Sequence, residues 1–318
     1  MSNDRTNGMM RKAKGAKKDE FKTLYNDIRD ELVNYKEHFK GKTVWCPCDL
    51  RDVSNFCNFL EDVKDEWGIK KLIFTSYPSG ECRIIDNNGC HDFTIDGECS
   101  YDSDEVKQFR DEADIIVTNP PFSLFKEFVS WLIENDKKFV ILGTGLSIFV
   151  KEIFVYYNQK KLWYGYIRNK GLLFEVPNDY ETKIEKDGKK FCKVACSWWT
   201  NLGEEKKNPK FNSNVKFSDY NYQKYDNFDA IHVPSRNKIP MDYYGLMGVP
   251  SSYLDVRDDE TFEVIGILNN YKETDKGKGL YVGEKRDVKV TSGKIVKFGG
   301  PILNGKALFG RILIKRKV

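Results

Sequence analysis

An amide side chain, two prolines and an aromatic ring stand together at Asn119-Pro120-Pro121-Phe122. These residue types suit transfer of a methyl group to a planar amine. Such an amine is a poor nucleophile, because its lone pair is delocalised into the ring or carbonyl that carries it. An Asn carboxamide oxygen and a backbone carbonyl can accept its two N–H bonds. That draws the nitrogen toward tetrahedral geometry and aims its lone pair at the donor methyl. Pro120 supplies such a carbonyl, and the prolines fix φ and stiffen the loop. Phe122 offers a face on which an extruded base can stack. The rate would come from orientation and in-line geometry, without a covalent intermediate. The plainer alternative is that Pro-Pro ends a strand and Phe122 belongs to the core. Average composition puts an Asn/Asp/Ser-Pro-Pro-aromatic string in about one chain of this length in a hundred by chance. Alone, the loop does not separate adenine in DNA from a base in RNA or an amide nitrogen in protein.

A methyl donor needs a pocket at the first strand of the sheet, and the usual Gly-rich loop is missing there. The chain instead reads Trp45-Cys46-Pro47-Cys48-Asp49-Leu50-Arg51-Asp52-Val53-Ser54-Asn55-Phe56. Asp49 lies just past the strand end, where it can reach a cationic amine; its competing role is to cap the next helix. Glu98, after a second expected strand, can accept from an adenine amine of the donor or stand as an exposed hairpin carboxylate. Phe21 and Thr23, at the start of the first helix, can line the same pocket or serve only as a cap and a core contact.

These side chains need elements to hold them. Phe21, Leu24, Tyr25, Ile28, Leu32 and Tyr35 recur at helical spacing and predict a helix from Asp19 to Phe39, stopped by Gly41. Thr43 to Cys46 and Lys71 to Thr75 read as strands, with a helix from Val53 to Trp67 between them. Polar, Gly-punctuated sequence from 77 to 102 predicts a hairpin around Ile84-Ile85 and Phe93 to Ile95. A helix near Asp104 to Arg110 follows. Asp114 to Thr118 is apolar without alternation, as a central strand buried on both faces would be. The loop at Asn119 directly follows it, at the strand end where open parallel sheets bind ligands. Helices at Ser123 to Glu134 and Ile148 to Tyr157 flank a further strand at Lys138 to Leu142. This alternation predicts a doubly wound, mostly parallel α/β sheet. After Trp163 the helical rhythm fades, and short strands are expected at Leu172 to Phe174, Val194 to Trp199, Ala230 to Val233 and from Phe262 onward.

Composition narrows the partners. The chain has 318 residues, 40% hydrophobic and 31% charged, with a formal net charge of only +4. That is a globular composition with no overall bias toward nucleic acid. The ends are more suggestive. Arg11, Lys12, Lys14, Lys17 and Lys18 form a basic N-terminal arm, and Arg311, Lys315, Arg316 and Lys317 cluster at the other end. Such arms can neutralise phosphates, or can simply be solvated tails. No run is apolar enough to span a membrane, and the N-terminus lacks the apolar core of a secretory signal. A cytoplasmic protein with reduced thiols is expected. The 8 cysteines and 3 histidines show no paired C-x2-C spacing, so no metal site is expected.

Beyond the tetrapeptide, the sequence resembles the EcoRI-type adenine-specific DNA methyltransferases over nearly its whole length. The likeness rests on Lys18 to Phe21, Val44 to Phe56 with its Cys-x-Cys-Asp loop, and Asp114 to Lys126. It continues through Trp199 to Leu202, Tyr225 to Ile231, Gly245 to Pro250 and Arg311 to Lys315. The resemblance implies a monomer that binds duplex DNA, flips one adenine and forms N6-methyladenine from S-adenosylmethionine. It also implies that Cys46, Cys48 and Asp49 form the donor loop in place of the glycines. A partner restriction endonuclease, or protection of phage DNA, is implied as the setting. Lys22 and Glu98 depart from the family pattern, which more often has an aromatic residue and Asp there. The expected architecture is a basic arm over 1–18 and a Rossmann-like methyltransferase core over 19–162. A strand-rich target-recognition region over 163–318 is expected to pack on that core. Methylation of RNA or of a protein glutamine, and a catalytically inactive DNA-binding relative, are the competing readings.

Overall fold

The computed structural model describes residues 22–49, 54–97, 99–168, 170–176, 178, 182–205, 211, 213–289 and 294–318. The sequence-based assignments to the basic arm, to Phe21 and to Glu98 lie outside these residues.

The chain is mixed α/β and divides into two compact units, residues 1–145 with 161–206, and residues 146–160 with 207–318. The first unit is built on an 11-stranded sheet. In chain order its strands are β1 (Lys22–Thr23), β2 (Thr43–Cys46), β3 (Lys71–Thr75), β4 (Glu81–Asp86), β5 (Gly89–Thr94), β6 (Ile115–Thr118), β7 (Lys138–Thr144), β8 (Trp163–Tyr164), β9 (Lys170–Val176), β10 (Ile184–Lys186) and β11 (Lys189–Thr200). The main path across the sheet runs β1-β9-β11-β7-β6-β2-β3-β4-β5. Only the centre, β7-β6-β2-β3, is parallel. The flanks are antiparallel, so the expectation of a mostly parallel sheet holds for the middle alone. The reason is connection length. The links from β3 to β4 and from β4 to β5 are too short for a helical crossover, so these strands must turn back on themselves.

The central strands form because their residues are apolar and β-branched or aromatic, and both faces are covered. Val44, Trp45, Cys46, Ile116 and Val117 are wholly buried. Helix Asn55–Val63 links β2 to β3, and helix Phe125–Glu134 links β6 to β7. The first packs Phe56, Cys57, Phe59 and Leu60 inward, the second Phe125, Phe128, Val129 and Leu132. Both are shorter at their starts than the periodicity predicted.

Two expectations fail in this unit. The first helix begins at Tyr25, not Asp19. Lys22 and Thr23 are instead a strand, paired with Glu175 and Phe174; sheet pairing overrides the helical period here. Second, the boundary expected at 162/163 does not follow the compact units. Strands β9 and β11 belong to the first sheet, and helix Lys151–Asn158 belongs to the second unit. The apolar faces of β9 and β11 need the large core, where Leu172, Phe174 and Cys196 are buried beside Val140 and Leu142.

Helix Tyr25–Leu32 is tied to the segment after β8 by a buried carboxylate. Glu31 accepts from the Tyr35 hydroxyl and from the backbone N–H of Tyr166 and Ile167, each at 2.8 Å. Burial raises its pKa, and these donors pull it partly back. Gly165 must lack a side chain there, because a Cβ would collide with Glu31 Oε1.

The second unit has a 6-stranded sheet. Its strands in sheet order are Lys224–Tyr225, Phe228–His232, Met247–Val249, Arg311–Arg316, Phe262–Leu268 and Leu280–Tyr281. The strand-rich tail is as expected, but its basic end is no arm: Arg311–Arg316 is a central strand with Ile312, Leu313 and Ile314 wholly buried. Helix Lys151–Asn158 is held by the Lys151–Asp275 ion pair at 2.6 Å and by Arg257, which donates to the Tyr157 hydroxyl at 3.1 Å. Among the described residues, no helix is long and apolar enough to cross a membrane.

Glu31→Ala should destabilise the fold by at least about 3 kcal/mol, because it strands the Tyr35 hydroxyl and two buried backbone donors. Urea unfolding measures this; a change within about 0.5 kcal/mol would mean that water satisfies those donors.

Candidate functional site

The parallel strands set the geometry. From β2 the chain moves outward to β3 on one side, then returns to β6 and moves outward to β7 on the other. The order therefore reverses between β2 and β6, and a crevice opens beyond the carboxyl ends of such a pair. Val44 and Trp45 are in register with Ile115 and Ile116. Extending that register brings the loop after Cys46 alongside Thr118 and Asn119.

A hydrogen-bonded carboxylate joins the two loops. Thr118 Oγ1 donates to Asp49 Oδ2 at 2.9 Å, and Ser54 Oγ donates to Asp49 Oδ1. Ser54 in turn accepts from the Phe56 N–H at 3.1 Å and is the N-cap of helix Asn55–Val63. Asp49 is therefore not the cap; it is held by the residue that is. Its own N–H donates to Thr75 O at 3.2 Å, which fixes the loop to β3. Asp49 is only 7% exposed. Burial pushes its pKa up to about 6, against the pull of the Ser54 and Thr118 hydrogen bonds.

Thr23 enters the same region from β1. The Asn55 side chain donates to Thr23 O at 2.7 Å, so β1 is pinned to the start of the helix that Ser54 caps. Thr23 Oγ1 is buried and has no hydrogen-bond partner among the described residues. Its partner across the sheet, Phe174, is wholly buried and meets the Phe122 ring edge-on, with centroids 6.2 Å apart. Phe122 itself is only half-buried.

The loop between β6 and the next helix is tight. Asn119 and Pro121 are partly buried and Pro120 is buried. The Asn119 side-chain oxygen is shielded from solvent. Pro121 O accepts from Leu124 N at 2.9 Å and starts a short 3-10 turn at Phe122–Leu124. Among the described residues, the Pro120 carbonyl is not drawn into that turn.

The cysteines behave differently from one another. Cys46 is enclosed in the core with Phe56 and Cys57. Cys48 is partly buried beside Asp49. Burial and then the Asp49 carboxylate push its thiol up to about 12, while Thr118 offsets this in part. Cys46 is pushed well above the ordinary thiol range for the same first reason. Neither is a nucleophile near neutral pH. All eight cysteines are free thiols, and the described residues contain no group of three or more His, Cys, Asp or Glu placed to hold a metal ion.

The structure thus brings Thr23, Cys48, Asp49, Asn119, Pro120, Pro121 and Phe122 to one end of one sheet. Sequence reasoning missed Thr118, Ser54 and Phe174. Ser54 carried a readable sign, a serine just before a helix. Thr118 and Phe174 carried none, since their partners are distant in sequence. A further neighbour is Tyr101, a buried ring 4.7 Å from Phe128. The Cys48 thiol adds to the rise that burial imposes on its phenol.

The chain matches the family described as "Adenine-specific methyltransferase EcoRI" over residues 9–317. It is 36% identical to a type II methyltransferase of Mycoplasma genitalium, covering 96% of this chain and 98% of that one. It is 35% identical to the type II methyltransferase M.MpnI of Mycoplasma pneumoniae, over 96% and 97%. With the type II methyltransferase M.EcoRI of Escherichia coli the identity is 34%, over 100% of this chain and 99% of the other.

The raised Asp49 pKa has a consequence for stability. The neutral carboxyl is favoured by the fold, so that contribution is complete below about pH 4 and is lost as the pH rises through about 6. Asp49→Asn keeps the neutral form at every pH. Without ligand it should be more stable than the parent by up to about 3 kcal/mol at pH 7.5 and by only about 1 kcal/mol at pH 4.5. Paired urea titrations at the two pH values test this; a variant less stable than the parent at pH 7.5 contradicts it.

Proposed function

We propose, for a chain that belongs to the EcoRI adenine-specific methyltransferase family and methylates adenine in DNA as in type II restriction–modification, that the donor is S-adenosylmethionine, held beside Asp49 and Thr23. The flipped adenine, on this reading, lies against Asn119, Pro120 and Phe122 and leaves as N6-methyladenine. The observation that carries the reading is the Thr118–Asp49 hydrogen bond. It ties the loop that would hold the donor to the loop that would hold the acceptor, at the crevice where the strand order reverses.

The residues fit the donor. Thr23 Oγ1 is a buried polar atom with no hydrogen-bond partner among the described residues. Asp49 is a buried carboxylate whose charged form gains from a cationic neighbour such as an α-ammonium. When bound, S-adenosylmethionine supplies an electrophilic methyl group on a positively charged sulfur. The protein's part is then to bind, orient and exclude water. Asn119 Oδ1 and the Pro120 carbonyl accept the two N6–H bonds of adenine and turn its lone pair toward the methyl. Phe122 stacks on the base, and the edge-on contact with Phe174 keeps its ring in place. Pro120 and Pro121 hold the carbonyl and the amide at fixed separation. The surrounding buried thiols stay protonated and take no methyl.

The parallel centre of the sheet is read as the Rossmann-like core of such enzymes, and the second, strand-rich unit as the target-recognition region. Arg11, Lys12, Lys14, Lys17 and Lys18 are assigned to phosphate contacts. The working form is taken to be a cytoplasmic monomer that protects host or phage DNA from a cognate endonuclease.

Expression in a host without adenine methylation, followed by modification-aware sequencing, should reveal one modified motif. Asn119→Ala should abolish that modification while donor binding by calorimetry survives; near-normal turnover would sink the mechanism. Phe122→Ala should weaken DNA capture roughly tenfold, as expected when a base loses its stacking partner. Unchanged turnover and binding would make Phe122 a core residue only. Asp49→Asn should weaken the donor and spare the fold, and full donor affinity in that variant would remove Asp49 from the pocket.

A further inference from the structure

A second concave site lies wholly within the second unit. Its volume is about 190 Å³, and Tyr220, Asn221, Tyr222, Gln223, His232 and Lys238 form most of its wall. Pockets for whole small molecules start near ~300 Å³, so this one is sized for one group of a larger ligand. Its surfaces are aromatic. Tyr220 and Tyr222 meet edge-on at 5.8 Å and form a corner. Behind them Tyr222, Phe217 and Tyr243 are stacked almost parallel, with centroids 5.4 and 4.7 Å apart. The stack fixes the corner but does not cover it: Tyr220 is 42% exposed.

A cation stands at this site. Lys238 Nζ stands 4.6 Å over the Tyr220 ring, while its backbone carbonyl accepts from the Tyr222 hydroxyl at 2.7 Å. Among the described residues Lys238 has no carboxylate partner, and neither has Arg311, whose charge acts on His232 in the wall. His232 adds no charge of its own, because burial and then Arg311 depress it to about 4. The carboxylates of Asp219 and Asp242 also bear on Tyr222, but each acid is held by a donor other than Lys238. Asp242 and Asp219 accept from the N–H of Phe217 and Lys216 at 2.6 and 2.7 Å, and Asp229 pairs with Lys224 at 2.7 Å.

We infer that this corner receives one nucleotide of the bound DNA other than the target adenine, its base against Tyr220 and Tyr222 and its phosphate against Lys238. An aromatic face beside a cation with no carboxylate partner among the described residues matches a base next to its phosphate. Asn221 and Gln223 bring the carboxamides that read base edges. The inference rests on DNA being the substrate of this chain.

The test uses the full-length protein and a duplex carrying its own modification motif. Affinity is read by fluorescence anisotropy across a salt series, with donor affinity, urea stability and methylation of the same duplex measured in parallel. Lys238→Gln should reduce the slope of log K against log salt by about 1. Tyr220→Leu should weaken DNA binding roughly tenfold with little change in slope. Both should raise KM for DNA more than they lower kcat and leave donor affinity unchanged. If both variants keep the parental DNA affinity and slope while the parent methylates the duplex, the corner has no DNA role although the activity stands. Losses of DNA affinity that only track lost stability would equally overturn the inference and mark the rings as packing.

Discussion

Burying the carboxylate of Asp49 is the constraint on which the crevice depends. A carboxylate taken out of water needs donors, and Thr118 and Ser54 provide them from opposite sides. Each donor belongs to a different element: one ends the central strand, the other caps a helix. The carboxylate thereby sets the separation of the two loops and the entry angle of that helix. It also leaves an anion in low dielectric, a condition that favours a cationic guest. A site that was fully satisfied before its ligand arrived would hold the ligand less tightly. The depressed ease of ionisation at Asp49 and the Thr23 hydroxyl, without a partner among the described residues, are two signs of a region organised for something to be added.

Much of this was legible beforehand, for physical reasons. β2, β3 and β6 are short runs buried on both faces, and such runs have no alternation to misread. The turn at Asn119 was legible because two prolines directly follow a buried strand, and proline punctuates local structure. Errors arose where distant pairing decides. Lys22–Thr23 lies in a helical period yet joins the sheet, because Glu175 and Phe174 offer it backbone partners. The same long-range pairing draws β9 and β11 into the first sheet, beyond the expected boundary. Thr118 is the clearest case: its hydroxyl meets a carboxylate 69 positions away, and no local pattern announces that.

The thiols show how environment overrides residue type. A Cys-x-Cys-Asp string suggests metal or redox chemistry, yet Cys46 lies in an apolar core and Cys48 beside an anion. Both surroundings oppose the thiolate, so the string acts through its backbone path and its carboxylate. A methyl donor beside reactive thiolates would risk misdirected transfer, and here that competing nucleophile is suppressed by burial.

The two compact units are interleaved along the chain. It leaves the first unit after Gly145, contributes a 3-10 turn and helix Lys151–Asn158 to the second, and returns at Lys161 before leaving again near residue 206. Lys151 and Tyr157 on that helix find their partners in Asp275 and Arg257, more than ninety residues onward. Neither unit is therefore encoded by one continuous stretch. A single recombination crossover could not exchange the second unit for that of a relative, because it would carry the sheet and leave the helix behind. Moving the second unit whole takes paired crossovers that carry both of its segments together.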